Sequence, residues 1–206
     1  LINLMINNMV SVILPVYNDE EFILMAIESI LLQTYTIFEL IIINDGSTDL
    51  TKTILDSLND PRIKIINNKK NRGIVYSLNR GIKVSSGEYI ARMDSNDIAH
   101  PERFKKQVSI IQNNKNIDLV SCFFNIVDES GNLLSEYTRY VEPYDSQVRS
   151  FFRPYTAHSS LMISRELLTK PAYEIDCAAE DINLLFALSM KTEFYIIPEF
   201  LMEIRH

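Results

Sequence analysis

Three short groups of acidic and amide side chains follow apolar runs that are typical of buried strands. They are Pro15–Glu20, Asn44–Ser47 and Asp94–Asp97. In an open parallel sheet, ligands bind outside the carboxyl ends of the strands, so we expect these groups to share one site. Carboxylates that converge on one edge repel each other unless a cation or hydrogen-bond donors lie between them. A divalent cation would supply charge, and a nucleotide would supply donors from its base and ribose.

Several common motifs for phosphate binding and hydrolysis are missing from the sequence. There is no GxGxxG after the first predicted strand, no GxxxxGK[ST] and no GxSxG, which disfavours a dinucleotide fold, a P-loop and a hydrolase elbow. An aspartyl phosphatase would carry DxD after its first strand, where this chain has Pro15–Tyr17. A nucleotide held by its base and ribose, with its phosphates on a metal, fits best.

The apolar pattern that must position these groups alternates between the periods of strands and helices. Short buried runs predict four strands in the first hundred residues, with helices between them. The predicted strands are Val10–Leu14, Leu40–Ile43, Arg62–Asn67 and Tyr89–Arg92. The first and third predicted helices are Glu20–Leu32 and Gly73–Val84. The second is capped by Ser47 or Thr48 and carries Ile54, Leu55 and Leu58 on one face. This order indicates an α/β fold with a mixed, mostly parallel sheet flanked by helices.

The pattern after Asp97 is less regular and indicates an α+β half. Its predicted elements are, in order, a helix from Pro101 to Gln112, strands Ile117–Asp128 and Leu133–Thr138, a helix Tyr144–Phe152, a strand Ser159–Ile163, helices Ser164–Leu168 and Glu180–Met190, and strands Phe194–Pro198 and Phe200–Ile204. Without a Gly/Ser linker or an internal repeat, we expect a single domain over residues 9–206. Residues 1–8 are expected to be a disordered or non-native start, and the domain to be part of a longer chain.

Charge and composition narrow the class of partner. The 206 residues carry 27 acidic and 20 basic side chains, a net charge of −7, and a nucleic-acid binder would normally be basic. No apolar run approaches the roughly 18–20 residues of a membrane helix. Two cysteines, Cys122 and Cys177, provide neither a disulfide framework nor a zinc site. A cytoplasmic location is the natural expectation.

The order of the motifs resembles the inverting family 2 glycosyltransferases, which have the Rossmann-like GT-A fold. The resemblance covers Met9 to His206. It is carried by Ser11–Asn18, Leu40–Asp49, Asn71–Gly73 with Leu78–Gly81, Gly87–Asp97, His158–Met162, Glu180–Asp181 and the terminal Arg205–His206. Each motif alone is weak, whereas their order and spacing together are specific.

The resemblance implies a nucleotide pocket in the first half of the chain. Pro15, Val16, Tyr17 and Asn18 would line the base pocket, with Tyr17 offering a flat face. Asp45 would accept a hydrogen bond from uracil or ribose, and Glu20 would bind ribose or brace the loop. Arg72 would lie near the diphosphate. Asp94 and Ser95 begin the DxD-like region and would bind the ribose.

The same region would hold a divalent cation, Mn²⁺ or Mg²⁺, at its second half. Relatives commonly have Asp where this chain has Asn96, and an Asn oxygen ligates a hard cation without bringing charge. The resemblance therefore leaves Asn96 and Asp97 as alternative ligands, with His206 approaching the diphosphate or the cation.

The second half would carry the chemistry and the acceptor. The resemblance implies that Asp181 is the base that deprotonates the acceptor hydroxyl, with Glu180 and His158 near the acceptor. The expected activity is metal-dependent, inverting transfer from a nucleotide sugar, UDP-linked by expectation, to a saccharide or lipid-linked acceptor of bacterial cell-surface polysaccharide. That acceptor would suit the inner face of the cell membrane and a peripheral membrane association.

Two other functions remain open from the sequence. Asn96 favours a sugar-nucleotide-binding module without turnover, against which Asp181 argues. A nucleotidyltransferase would also bind nucleotide at a sheet edge, but it would usually carry a Gly-rich basic loop where this chain has Pro15–Glu20.

Overall fold

The computed structural model describes residues 6–138, 156–168, 171–174 and 179–206. These ranges contain nine strands and five α-helices. The strands are β1 (Ile6–Val16), β2 (Phe38–Asn44), β3 (Ile63–Asn67), β4 (Gly87–Arg92), β5 (Ile98–Ala99), β6 (Ile117–Val127), β7 (Leu133–Tyr137), β8 (Met162–Ser164) and β9 (Glu193–Arg205). The helices are α1 (Ile23–Leu31), α2 (Thr51–Asp56), α3 (Ile74–Val84), α4 (Arg103–Asn113) and α5 (Glu180–Ser189).

All nine strands belong to one sheet in the order β3-β2-β1-β4-β8-β6-β9-β5, with β7 paired to β6 outside this path. The ladders β1–β2, β1–β4, β2–β3 and β6–β9 are parallel. The ladders that involve β5, β7 and β8 are shorter and antiparallel. The expected mixed, mostly parallel sheet flanked by helices is confirmed.

Side chains of the central strands alternate between two hydrophobic cores, one on each face of the sheet. On β1, Val12 and Leu14 face the core that contains α1 and α4, whereas Ile13 faces the core that contains α3 and α5. All three are at most 1% exposed, and each buried side chain of this size contributes about 1.5–3 kcal/mol. Strands covered on both faces read as continuous apolar runs, which is the pattern in the sequence.

Helix α3 packs unusually close to β1 because residue 81 is glycine. A Cβ added to Gly81 would stand 2.6 Å from Cγ2 of Ile13, well inside van der Waals contact. The amino end of α3, which begins after Gly73, lies beside the loop that follows β2, because the Gly73 N–H donates to Asp45.

Some element boundaries differ from the expectations. Helix α2 begins at Thr51, and the side chain that bonds its first N–H is Asp49 (Oδ1, 3.0 Å), so the predicted cap by Ser47 or Thr48 is wrong. The predicted strand Ser159–Ile163 is a 3-10 turn at His158–Ser160 followed by β8, and Arg165–Leu167 is a second 3-10 turn.

The two predicted strands on either side of Pro198 are one strand, β9, whose register with β6 shifts beside the proline. Such irregularities accommodate a residue without an N–H. β1 begins at Ile6, so residues 6–8 of the expected loose start belong to a strand. The predicted helix Tyr144–Phe152 lies outside the described residues. None of the helices described is both long and apolar enough to cross a membrane.

Candidate functional site

The first four strands end at one edge of the sheet, and their pairing fixes how the following loops meet. Val16 of β1 lies opposite Asn44 of β2, which lies opposite Asn67 of β3. Beyond the strands, the Asp45 N–H donates to the carbonyl of Val16 at 2.8 Å. Arg92, the last residue of β4, pairs with Ile13 of β1, so the loops after β1, β2 and β4 leave the sheet at the same edge.

The loop after β1 is joined to the loop after β2 through Asn18. Its backbone N–H donates to Oγ of Ser47 at 3.0 Å, and its side-chain Oδ1 accepts the N–H of Thr48 at 2.7 Å. Asn18 has φ of 51°, a left-handed conformation that asparagine tolerates better than most residues. Pro15 and Val16 are buried, whereas Tyr17 is 46% exposed, so its ring is available to a ligand.

Glu20 braces the same pair of loops. Its Oε2 accepts the N–H of Leu50 at 2.5 Å, and its own N–H donates to Oδ2 of Asp49 at 3.1 Å. Of the two roles expected for Glu20, the structure shows its carboxylate in the loop contact. A third contact, from the Asp19 N–H to Oγ1 of Thr51 at 2.9 Å, extends the junction.

The Asp45 carboxylate is buried and holds the loop that precedes α3. It accepts the Arg72 N–H at 3.0 Å on both oxygens, the Gly73 N–H at 2.8 Å and the Asn68 amide at 2.5 Å. Three donors satisfy most of the roughly four lone-pair sites of a carboxylate. A direct contact of Asp45 with a base or ribose stays a prediction, and the observed role is to hold the loop that precedes α3.

The Arg72 side chain is exposed, and its guanidinium lies 4.3 Å from the centroid of the Tyr76 ring. The loop that carries it passes very close to the loop after β2. A Cβ on Gly46, which has φ of +75°, would stand 2.6 Å from the backbone of Lys70. Glycine is therefore required at position 46 both by its conformation and by the neighbouring backbone.

The loop after β4 begins with an ion pair between Asp94 and the buried Arg92. Burial by itself would lower the pKa of Arg92, but the charge and hydrogen bonding of Asp94 outweigh it and the pKa is raised. The Arg92 Nε is buried and has no hydrogen-bond partner among the described residues. Next along the chain, the hydroxyl of Ser95 donates to Asp19, which connects this loop to the one after β1.

Asn96 and Asp97 contact the last strand rather than the first four. Asp97 is 1% exposed, and its Oδ1 accepts the Arg205 N–H at 3.1 Å. By hydrogen-bond geometry its other oxygen, Oδ2, is buried without a partner in the described part of the chain, although the Ser159 side chain lies close enough to lower the pKa of Asp97. Burial, and then the charge of Asp94, raise the pKa of Asp97 to about 6. The Asn96 amide donates weakly, at 3.4 Å, to the carbonyl of Arg205.

The oxygen donors of this loop suit a hard cation but do not enclose one. No group of three or more His, Cys, Asp or Glu side chains within the described ranges could hold a metal. The orphan Oδ2 of Asp97 and the amide oxygen of Asn96 fit a cation that takes its remaining ligands from a diphosphate and water, as Mg²⁺ commonly does. His206 is exposed, and its backbone N–H donates to the carbonyl of Val127.

His158 is buried against Tyr173, with 2.8 Å between its Nε2 and the tyrosine hydroxyl. Burial, together with the nearby positive charge of Arg92, holds the pKa of His158 well below its usual value. His158 is therefore neutral at physiological pH. The Asn79 side chain of α3 brackets the Tyr173 backbone with two hydrogen bonds, of 2.9 and 3.0 Å.

Tyr173 connects the two halves of the site electrostatically. Burial raises the pKa of its hydroxyl, Arg92 lowers it, and the carboxylates of Glu180, Asp94 and Asp181 raise it further. Glu180 and Asp181 lie in the first turn of α5 and are half-buried. Carboxylates of the loop after β4 and of the start of α5 thus both act on the Tyr173 hydroxyl.

The sequence did not single out Arg92, Tyr173 or Arg103. Arg103 is fully buried and donates to the carbonyls of Arg92 at 3.0 Å and Ser159 at 2.9 Å, while burial lowers its pKa to about 10. It fastens the end of β4 to the turn that carries His158. A charged residue inside an apolar strand, as Arg92 is, was the available signal.

Comparison with known proteins places these features in a family. The model for "Glycosyl transferase family 2" matches residues 11–170. An uncharacterized glycosyltransferase of Methanocaldococcus jannaschii is 32% identical over 204 residues, which cover 96% of this chain and 70% of the relative. An uncharacterized glycosyltransferase of Haemophilus influenzae is 45% identical over 133 residues, which cover 63% of this chain and 41% of that protein.

Solved structures share the fold at lower identity. A fragment of S. aureus TarS, residues 1–349 in complex with UDP-GlcNAc, superposes with a TM-score of 0.78 at 22% identity, covering 96% of this chain and 58% of the TarS chain. The same fragment in complex with UDP gives the same TM-score and covers 60% of that chain. The present chain therefore spans less than two thirds of the length of several proteins that it matches.

Proposed function

Because the chain belongs to glycosyl transferase family 2, we propose that it transfers a sugar from a nucleotide-sugar donor to a hydroxyl of a saccharide or lipid-linked acceptor. The observation that carries the proposal is the junction of three loops at one sheet edge. The carboxylates of Glu180 and Asp181 lie near enough to the buried Tyr173 hydroxyl to raise its pKa, as does Asp94 of the loop after β4. A transfer reaction needs a donor site with a base near the reacting hydroxyl.

We propose a UDP-linked donor. The exposed ring of Tyr17 would stack on the base, the polar loop beneath it would accept from the base and ribose, and Arg72 would lie near the diphosphate. The TarS fragment that shares this fold is bound to UDP-GlcNAc, which supports a uridine nucleotide without identifying the sugar. The backbone hydrogen bonds of Asp45 would keep this pocket wall in place before the donor arrives.

We propose that Asp181 is the general base of a single inverting displacement. Its carboxylate would accept the proton of the acceptor hydroxyl as that oxygen attacks the anomeric carbon, and the bond to the nucleoside diphosphate would break. One displacement inverts the anomeric centre. Glu180 and the neutral His158 would lie beside the acceptor, where an uncharged imidazole accepts or donates a hydrogen bond without holding a competing charge.

Asn96 and Asp97 would hold a divalent cation, Mn²⁺ or Mg²⁺, together with the diphosphate, and His206 would lie near its phosphate side. When bound, the cation supplies positive charge to the leaving diphosphate. The neutral Asn96 makes the protein's own share of that site weak, so we expect the cation and the nucleotide to bind together rather than separately.

A thermal-shift panel tests the proposal. UDP, GDP, CDP and their common sugar derivatives are added with Mn²⁺ or with a chelator, and the melting temperature is measured. A ligand that binds only the folded state stabilises it by mass action. We expect a uridine nucleotide with Mn²⁺ to raise the melting temperature more than the nucleotide alone. Equal shifts would argue against the cation, and no shift with any nucleotide would overturn the donor site.

One residue, Asn96, favours the alternative of a binding module without turnover. The same thermal-shift panel followed by an activity assay distinguishes this module from an active transferase. Such a module would give the nucleotide shift but would not release UDP from any sugar donor. Asn96→Asp restores a charged ligand, so it should strengthen the Mn²⁺-dependent part of the shift if this loop holds the cation.

A further inference from the structure

Basic side chains are concentrated in one short stretch of the chain, which has no acidic residue. Residues 61–87 contain seven Lys and Arg side chains and no Asp or Glu, which leaves 13 basic side chains against all 27 acidic ones elsewhere. One of the seven, Arg62, is neutralised by Asp60 through two side-chain hydrogen bonds and lies over Phe38. The six others form what we call the basic strip: Lys64, Lys69, Lys70, Arg72, Arg80 and Lys83.

The basic strip is continuous on the surface between α3 and the edge strand β3. Tyr76, Arg80 and Lys83 are four and three residues apart on α3, so they share one face of the helix. Arg72 covers the ring of Tyr76 at the amino end, and Nη1 of Arg80 donates to the carbonyl of Asn67 at 3.1 Å.

At the other end of the strip, β3 and α3 are again in contact through a basic side chain. Nζ of Lys64, on β3, lies 3.4 Å from the carbonyl of Val84, next to Lys83. Five of the six cations are exposed and Arg80 is half-buried. None of them is in an ion pair with a carboxylate anywhere in the described ranges. The strip extends along the whole of α3, about 16 Å at 1.5 Å per residue.

We propose that the basic strip docks the protein on an anionic phospholipid surface. The electrostatic attraction between clustered Lys or Arg and an anionic bilayer is worth about 1 kcal/mol per residue, so six unneutralised cations suffice for reversible binding. Ile74 and Tyr76, each 39% exposed among these cations, add the apolar and aromatic contacts that suit a membrane interface.

The charge of the rest of the protein favours a flat anionic membrane as the partner over a nucleic acid that wraps around the protein. Outside residues 61–87 the acidic excess is 14, so a long nucleic acid that leaves the strip would meet repulsion. A flat bilayer touches one face alone. Because the strip begins at Arg72, on the rim of the proposed donor site, docking would hold that rim at the membrane surface. The last step rests on the proposed function, whereas the docking itself does not.

Vesicle sedimentation of the 206-residue chain tests the docking. The protein is mixed with vesicles of phosphatidylcholine alone or of phosphatidylcholine with phosphatidylglycerol, at about 0.05 M and about 0.5 M NaCl, where the Debye length falls below about 5 Å. We expect binding to the anionic vesicles at low salt, its loss at high salt and no binding to phosphatidylcholine. Equal binding to both vesicles, or none, would overturn the proposal.

Paired variants locate the surface. Lys64→Gln with Lys83→Gln removes two charges at the end of the strip far from the donor loops, and it should weaken vesicle binding about 30-fold. Lys105→Gln with Lys115→Gln removes two charges from exposed positions around α4 and should leave binding unchanged. An equal loss of vesicle binding in the two double variants would show that the basic strip is not the membrane-binding surface.

Two further readouts distinguish membrane docking from donor binding and from nucleic-acid binding. The nucleotide-induced thermal shift should be the same in the Lys64/Lys83 variant as in the parent, so a failure of docking and a failure of donor binding are distinguishable. A DNA duplex at the same phosphate concentration should not displace the protein from anionic vesicles. If it does, the strip is a nucleic-acid surface and the proposal is wrong.

Discussion

The N–H of Gly73 donates a 2.8 Å hydrogen bond to Oδ2 of Asp45, and it joins two loops that are 28 residues apart in the chain. Gly73 precedes α3 in a left-handed conformation, so this bond fixes where the helix begins relative to β2. Asp45 belongs to the Asn-Asp-Gly-Ser turn, whose residue types alone suggest only ordinary turn chemistry. The structure shows that its carboxylate holds the loop before α3 against the loop after β2.

Asp45→Asn should therefore affect both stability and nucleotide binding. The amide would turn an N–H₂ group toward the backbone donors of Arg72 and Gly73, and the unsatisfied groups should cost about 1–3 kcal/mol of unfolding free energy. We expect UDP affinity to fall about tenfold as the loop shifts. Urea unfolding and calorimetry measure the two effects.

The control for this variant is Asp56→Asn. Asp56 forms an exposed ion pair with Lys52 on α2, which should be worth less than about 1 kcal/mol. Unchanged stability and affinity in Asp45→Asn would remove the residue from the donor site.

Asp181→Asn should abolish transfer while leaving donor binding intact. A neutral amide cannot accept the acceptor proton, and a general base typically contributes 10²–10⁴-fold to the rate. The expected result is a fall of about that size in kcat for UDP release, with an unchanged dissociation constant for UDP. Glu180→Gln, one residue earlier in the same helical turn, should change kcat less. A near-native rate in Asp181→Asn would place the base elsewhere.

The buried His158 should make stability fall as the solution becomes acidic. Its folded pKa is depressed, so the unfolded chain takes up a proton below about pH 6.5 that the folded chain does not. The contribution is present at neutral pH and is lost as pH falls below about 6.5, by up to about 1.4 kcal/mol per pH unit.

His158→Gln should flatten this slope, because glutamine does not titrate and can still bond the Tyr173 hydroxyl. Urea unfolding at a series of pH values between about 7.5 and about 5.5 measures it. His100→Gln, at an exposed histidine, should keep the parent slope. An identical slope in His158→Gln and the parent would show that another group carries the dependence.

Gly81→Ala should destabilise the protein even though alanine favours helices. The new methyl would overlap Cγ2 of Ile13, a branch that cannot rotate away freely, and overpacking of this kind costs about 1–3 kcal/mol. The gain in helix propensity is about 1 kcal/mol. Removing the Cδ1 methyl by Ile13→Val leaves Cγ2 in place, so this second change should not rescue Gly81→Ala, whereas Ile13→Ala should relieve the overlap. Thermal or urea unfolding of the parent, Gly81→Ala and the two double variants measures these differences.

Most of the fold could be predicted because the central strands are covered on both faces. Runs such as Leu40–Ile43 are apolar throughout, and the stripes between them have helical period, so periodicity locates every element from β1 to β4. It could not locate β5, since Ile98–Ala99 is too short to show a period. It split β9 at Pro198, because a missing N–H is tolerated at a register shift that the sequence does not reveal.

The candidate site was predicted in outline, since parallel strands must end at a common edge. What the sequence could not reveal is which polar atoms are already paired inside the protein. Asp45 and Glu20 look like ligands for a nucleotide, yet both accept backbone N–H groups from neighbouring loops. Arg92 and Tyr173 were missed because their importance arises from burial beside charges that are distant in the chain.

The pairing of β9 with β6 has a consequence for the synthesis of the protein. Strands β1 to β4 pair with one another and are synthesised first, so we expect the edge that carries the candidate nucleotide site to begin forming early. The Asp97 carboxylate cannot accept its hydrogen bond from Arg205 until Arg205, 108 residues later in the chain, has been synthesised. Long-range parallel pairing forms slowly, and we expect the loop after β4, the proposed cation site, to be the last part of the edge to become ordered in a newly made chain.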